Sequence, residues 1–157
     1  MEIFSLSPCH IGVTVPDIQA SIQWYKEMLG FKLVKQQELT LPGRAKPTKM
    51  AWVKNGNFYI EFFEDPLAPP FNMKTYGTSL GLKHISFIVH NFPELVAFLK
   101  QKGVKFIVDG HWMYEGRPEN EGSYVAYILD NCGFPIELQS TFEENIQESY
   151  FVPSKNP

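Results

Sequence analysis

Two histidines and two glutamates recur at matched distances along this chain. His84 follows His10 by 74 residues and Glu137 follows Glu61 by 76. Each His opens a β-rich run, Cys9-His10-Ile11-Gly12-Val13-Thr14-Val15 and Lys83-His84-Ile85-Ser86-Phe87-Ile88-Val89, and each Glu sits in a short apolar run, Ile60-Glu61-Phe62 and Ile136-Glu137-Leu138. Side chains alternate between the faces of a strand. His10 therefore shares a face with Gly12 and Thr14, His84 with Ser86 and Ile88, Glu61 with Tyr59 and Phe63, and Glu137 with Pro135 and Gln139. The adjacent isoleucines take the opposite face. Two imidazoles and two carboxylates suit one divalent metal ion of the zinc, nickel, cobalt, manganese or iron class, with positions left for water or substrate. Alone, each of the four would read as a packed His or a solvated strand charge. The repeat gives them joint weight, and His90 and His111, which have no counterpart, read as ordinary polar residues.

The elements that must carry these residues repeat as well. After each His run comes a helical pattern: Ile18, Ile22, Tyr25 and Leu29 behind Asp17, then Leu95, Phe98, Leu99 and Lys102 behind Asn91, with Asp17 and Asn91 in the N-cap positions. The helices end at Gly30 and Gly103, and Gly30-Phe31-Lys32-Leu33-Val34 matches Gly103-Val104-Lys105-Phe106-Ile107. Ala51-Trp52-Val53 then matches Ala126-Tyr127-Ile128, and the turns Asn55-Gly56-Asn57 and Asp130-Asn131-Cys132-Gly133 lead to the Glu runs. Each half thus reads strand, helix, strand, polar loop, strand, turn, strand. A half of about 70 residues leaves one sheet face uncovered, so the halves are expected to pack as one α+β domain over 1–157. Module one covers about 8–65, a Pro-rich connector about 66–80, module two about 81–140 and a C-terminal extension 141–157. The extension is expected to cover the site or to mediate dimerisation.

Composition narrows the partners. With 14 basic and 17 acidic residues, a formal charge of −3 and no long like-charge run, the chain has no footprint for nucleic acid or an anionic membrane. No apolar run approaches the length of a membrane span, and the first 20 residues carry Pro8, His10, Pro16 and Asp17 instead of a signal peptide. Cys9 and Cys132 follow no disulfide or zinc-knuckle spacing. The chain reads as soluble and cytosolic, with a small-molecule partner.

The runs His10–Asp17, Trp24–Phe31, Leu82–Phe87 and Asp130–Leu138 resemble the vicinal oxygen chelate superfamily, which includes glyoxalase I, methylmalonyl-CoA epimerase, extradiol dioxygenases and the fosfomycin- and bleomycin-resistance proteins. The resemblance covers about residues 8 to 140 and implies two tandem βαβββ modules in a cupped mixed sheet, the helices outside and the metal inside. It places His10, Glu61, His84 and Glu137 on the four ligand positions of the glyoxalase and epimerase branch. The layout from Ile60 to Pro66 and from Gly81 to His84 is closer to the epimerases. The family's usual Asp-Pro-Asp-Gly turn is Asp130-Asn131-Cys132-Gly133 here.

The resemblance implies a metal-dependent isomerase, epimerase or lyase that transfers a proton next to a carbonyl through a metal-chelated enediolate, on a substrate with neighbouring oxygens. Glu137 is the first choice of base, by likeness to glyoxalase I, and Glu61 its pseudo-symmetric alternative. Two other readings stand beside it: an Fe(II) dioxygenase or metal-dependent resistance transferase using His10, His84 and Glu137, and a metal-free drug-binding protein. The four intact ligand positions speak against the last. Arg44 and Arg117, the only arginines, each follow a glycine and are candidates to clamp a carboxylate or phosphate, and Tyr59, Phe63, Trp52, Trp112 and Tyr114 are candidates to wall the pocket. A homodimer is expected.

Overall fold

A computed structural model of the chain describes residues 7–112 and 124–141, without the side chains of residues 110–112. Arg117, Tyr114 and the extension from Phe142 onward lie outside these residues. The chain divides into two compact units. The first runs to Ser79 and takes in Asp130–Phe134; the second comprises Leu80–Leu129 and the residues from Pro135 onward.

The first unit contains β1 (His10–Val15), α1 (Ile18–Leu29), β2 (Lys32–Leu39), β3 (Thr48–Asn55) and β4 (Phe58–Glu64). Its sheet has the order β1-β4-β3-β2, with β1 parallel to β4 and the other pairs antiparallel. The second unit repeats the plan with β5 (Ile85–Ile88), α2 (Phe92–Gln101), β6 (Phe106–Trp112), β7 (Tyr124–Leu129) and β8 (Pro135–Gln139), in the order β5-β8-β7-β6 with β5 parallel to β8. The α+β class and the two βαβββ modules are as expected, and each module forms its own four-stranded sheet. No helix among the described residues is long and apolar enough to cross a membrane.

Helix α1 starts because the extended Asp17 turns its carboxylate onto the N–H groups of Gln19 and Ala20, at 2.9 and 3.0 Å. It stops at Gly30, whose φ of 68° is left-handed and cheap only for glycine, and whose N–H donates to the Lys26 carbonyl. Ile18, Ile22 and Tyr25 are buried against the sheet with Val53, Ile60 and Phe62. Glu64, at the end of β4, accepts from the Ile18 N–H and from Lys49, so the helix start is tied to the sheet it covers.

Helix α2 departs from the expected pattern in two ways. Asn91 holds the N-cap position, but its side chain makes no capping hydrogen bond; Pro93 in the first turn has no N–H that would need one. The buried face is Phe92, Val96 and Leu99, one step round from the expected Leu95, Phe98 and Leu99, because Phe92 stacks on Tyr124 of β7 at 6.1 Å. An ion pair of Lys100 with Asp109 at 2.6 Å joins α2 to β6.

The β7–β8 turn is held by Asp130. Its Oδ1 accepts from the N–H groups of Cys132 and Phe134, both at 2.8 Å, and its Oδ2 accepts from the Tyr25 hydroxyl at 3.0 Å. Burial pushes the Asp130 carboxyl up against the pull of these donors, and burial together with the Asp130 charge pushes the Tyr25 hydroxyl well above its usual range. Burial raises the Cys132 thiol as well. Cys9 and Cys132 are both free.

Removing the Tyr25 hydroxyl leaves a buried carboxylate one donor short, so Tyr25→Phe is expected to lower the unfolding free energy by about 1–3 kcal/mol in denaturant titrations. Because the folded-state pKa of Asp130 is raised, its contribution is fully present below the unfolded value of about 3.9 and is lost as pH rises through the folded one. The stability difference between wild type and Asp130→Asn should therefore fall across that interval; a flat difference would show that Asp130 is not so perturbed.

Candidate metal centre

The parallel pairing of first strand with last strand brings each His to its Glu. In the first unit the register sets His10 opposite Tyr59 and Gly12 opposite Glu61, so His10 and Glu61 stand one step apart on the same face. His10 Nε2 lies 3.2 Å from Glu61 Oε2. In the second unit His84 directly precedes β5, Ser86 pairs with Glu137, and His84 Nε2 lies 3.3 Å from Glu137 Oε2. In each pair the carboxylate is nearly buried, at 10% and 9% side-chain exposure, and the imidazole is about one-third exposed, at 35% and 31%.

The second oxygen of each carboxylate is held by an aromatic donor on the neighbouring strand. Trp52 of β3 lies directly opposite Glu61, and its Nε1 donates to Oε1 at 2.6 Å. Tyr127 of β7 lies directly opposite Glu137, and its hydroxyl donates to Oε1 at 2.5 Å. The same aromatic rings touch the histidines: His10 stacks on Trp52 with centroids 5.4 Å apart, and His84 meets Tyr127 edge-on at 5.4 Å.

The pair geometry can be tested against a metal. Two ligands about 2.1 Å from one ion, with an angle of 90–109° between them, stand about 3.0–3.4 Å apart. The 3.2 and 3.3 Å separations fall in that interval. They are longer than the roughly 2.7–2.9 Å of a charged N–H···O contact. His10 Nδ1 rests 3.3 Å from Cys9 Sγ, which leaves Nε2 as the nitrogen turned to the carboxylate. Each pair is therefore a fitting half-set of imidazole and carboxylate ligands. Among the described residues, no three or more His, Cys, Asp and Glu side chains gather into one metal-holding group.

The other expected site residues take different places. Arg44 donates from Nη1 to Asp65 Oδ2 at 2.8 Å, an ion pair that ties the β2–β3 loop to the chain after β4. Trp52, expected to wall a pocket, donates to Glu61 and stacks on His10. Tyr59 shares the face of His10 and lies under the Lys54 ammonium at 5.7 Å. The ring of Phe63 covers β1 at Gly12, where a Cβ would come within 3.1 Å of it. Ser86 takes the equivalent place in the second unit, receiving the Gln139 amide at 3.3 Å.

The family model of the Glyoxalase/Bleomycin resistance protein/Dioxygenase superfamily matches residues 8–138. The chain belongs to this superfamily. Among its relatives in the superfamily is the lactoylglutathione lyase of Escherichia coli O157:H7, 28% identical over 138 residues, with 82% of this chain and 88% of that protein covered. A lactoylglutathione lyase of Arabidopsis thaliana is 23% identical over 130 residues; the match takes in 82% of this chain but only 42% of the plant protein. A glyoxalase family protein of Enterococcus faecalis has the same fold at 25% identity, with a TM-score of 0.62 over 85% of this chain and 96% of that one.

The close approach of the Phe63 ring to Gly12 gives a direct test of packing on this face of the first unit. Gly12→Val must displace the Phe63 ring and is expected to cost about 1–3 kcal/mol, whereas Ser86→Ala at the equivalent place should stay within about 0.5 kcal/mol. Thermal unfolding of both variants checks this; equal losses would show that the two faces are packed alike.

Proposed function

We propose that the protein is a metal-dependent lyase or isomerase of the glyoxalase I type, moving a proton on a carbon next to a carbonyl. The observation that carries this reading is the duplicated pair: His and Glu at metal-ligand separation in both units, each carboxylate fixed by a cross-strand donor. The relatives named lactoylglutathione lyase support the same chemistry. In this reading His10, Glu61, His84 and Glu137 are the four protein ligands of one divalent ion.

A divalent ion held there would act as a Lewis acid on two neighbouring substrate oxygens and stabilise the charge that develops as the proton leaves. Glu137 is the base. General-base catalysis requires a carboxylate within hydrogen-bond reach of the carbon acid. Glu61 has the same surroundings in the first unit and is the alternative base. Tyr59 and the Phe63 ring on the His10 face line the place for the substrate's apolar part.

Metal analysis and turnover test this together. One ion per chain is expected, and His10→Ala and His84→Ala should each lose occupancy; two ions per chain would mean that the pairs bind separately. With methylglyoxal and glutathione supplied as the first probe, formation of lactoylglutathione is the activity to follow. Glu137→Gln should keep part of the metal affinity, since an amide oxygen still coordinates, while deuterium exchange at the substrate carbon falls by about 10²–10⁴-fold. Unchanged exchange in Glu137→Gln with loss in Glu61→Gln would move the base to Glu61.

A further inference from the structure

We infer that Trp52 and Tyr127 are positioning residues that make Glu61 and Glu137 single-oxygen ligands, each offering Oε2 alone to the metal. The inference rests on the metal-dependent reading above and concerns residues to which that reading gives no part in metal binding.

The argument starts from the two oxygens of each carboxylate. An ionised carboxylate can bind a metal through one oxygen or both, and a buried one is free to rotate between these states unless something fixes it. In the first unit Oε1 receives the Trp52 indole N–H at 2.6 Å while Oε2 lies 3.2 Å from His10 Nε2. In the second unit Oε1 receives the Tyr127 hydroxyl at 2.5 Å while Oε2 lies 3.3 Å from His84 Nε2. Different donor chemistries, an indole and a phenol, converge on the same oxygen with the same result. What the two units share is the cross-strand register, Trp52 opposite Glu61 and Tyr127 opposite Glu137, which sets a large aromatic donor against the middle of the carboxylate strand.

The donor also limits where the imidazole can go. The Trp52 ring that holds Glu61 stacks on His10 at an interplanar angle of 26°, and the Tyr127 ring that holds Glu137 meets His84 at 88°. One aromatic side chain thus fixes the carboxylate through a hydrogen bond and bears on the imidazole through ring contact. Groups that orient metal ligands in this way typically contribute 10–100-fold to metal affinity.

Cobalt(II) titration of the full chain tests the proposal, with affinity and stoichiometry from calorimetry and ligand geometry from the visible absorption of the bound ion. Trp52→Phe and Tyr127→Phe keep a ring in place and remove only the donor. Each is expected to bind cobalt about 10–100-fold more weakly, with an altered visible spectrum and an unchanged far-ultraviolet circular dichroism. Trp52→Tyr restores a donor at the position where the second unit already uses a tyrosine, and it should return affinity and spectrum toward those of the unmodified protein. Wild-type affinity and spectrum in both Phe variants would overturn the positioning role and leave the metal reading standing. A Trp52→Tyr variant as weak as Trp52→Phe would overturn it too, since the indole would then act by packing. No cobalt binding by the unmodified protein would instead bring down the metal reading, and this inference with it.

Discussion

A nearly buried carboxylate on an inner strand is expensive unless its oxygens are engaged, and this protein has two of them, Glu61 and Glu137. Glu61 and Glu137 are each flanked by buried apolar residues, Ile60 and Phe62 in one strand and Ile136 and Leu138 in the other. Their strands lie inside their sheets, between the His-bearing strand on one side and the strand of the aromatic donor on the other. Both neighbours are needed. The antiparallel partner brings the indole or phenol to one oxygen, and the parallel partner brings the imidazole to the other. The strand order β1-β4-β3 and its repeat β5-β8-β7 supply both neighbours in each unit.

The arrangement also divides accessibility between the two members of each pair. Each His comes from the outermost strand of its sheet, or from the residue just before it, and keeps about a third of its side chain exposed. Each Glu comes from an inner strand and is nearly covered. On the same face the first unit adds the Phe63 ring over Gly12, and the second adds the Ser86 and Gln139 polar groups, so the two faces are alike in their His–Glu pairs and different in polarity.

Much of this was legible in the sequence because the repeat is internal. The offsets of His84 from His10 and of Glu137 from Glu61 required equivalent strands, and the period of two placed all four side chains away from the isoleucines. The pairing of Trp52 with Tyr127 was visible as well, in Ala51-Trp52-Val53 and Ala126-Tyr127-Ile128, yet their role was not. Sequence spacing shows which residues correspond, while the partner across a ladder depends on register, and only the Trp52–Glu61 and Tyr127–Glu137 registers turn wall-type aromatics into hydrogen-bond donors. Arg44 escaped for a similar reason: its partner Asp65 lies 21 residues on, in a segment that carries no periodic pattern. Asn91 does hold the N-cap position, without a side-chain hydrogen bond, whereas the face of α2 was misread by one step: Phe92, Val96 and Leu99 are buried, and tertiary contact such as Phe92 with Tyr124 overrides the local pattern.

The Asp130 turn carries a consequence for how the chain acquires its fold. Asp130 belongs by sequence to the hairpin of the second module, but it is counted with the first unit and closes on Tyr25 across 105 residues. A hydrogen bond of that span closes a large loop, at an entropic cost that grows with the logarithm of the loop's length. Without the Asp130 turn, the buried Tyr25 hydroxyl of the first unit lacks this acceptor. Ser21 shares the dependence, since its hydroxyl meets Asn131 and Cys132 of the same turn.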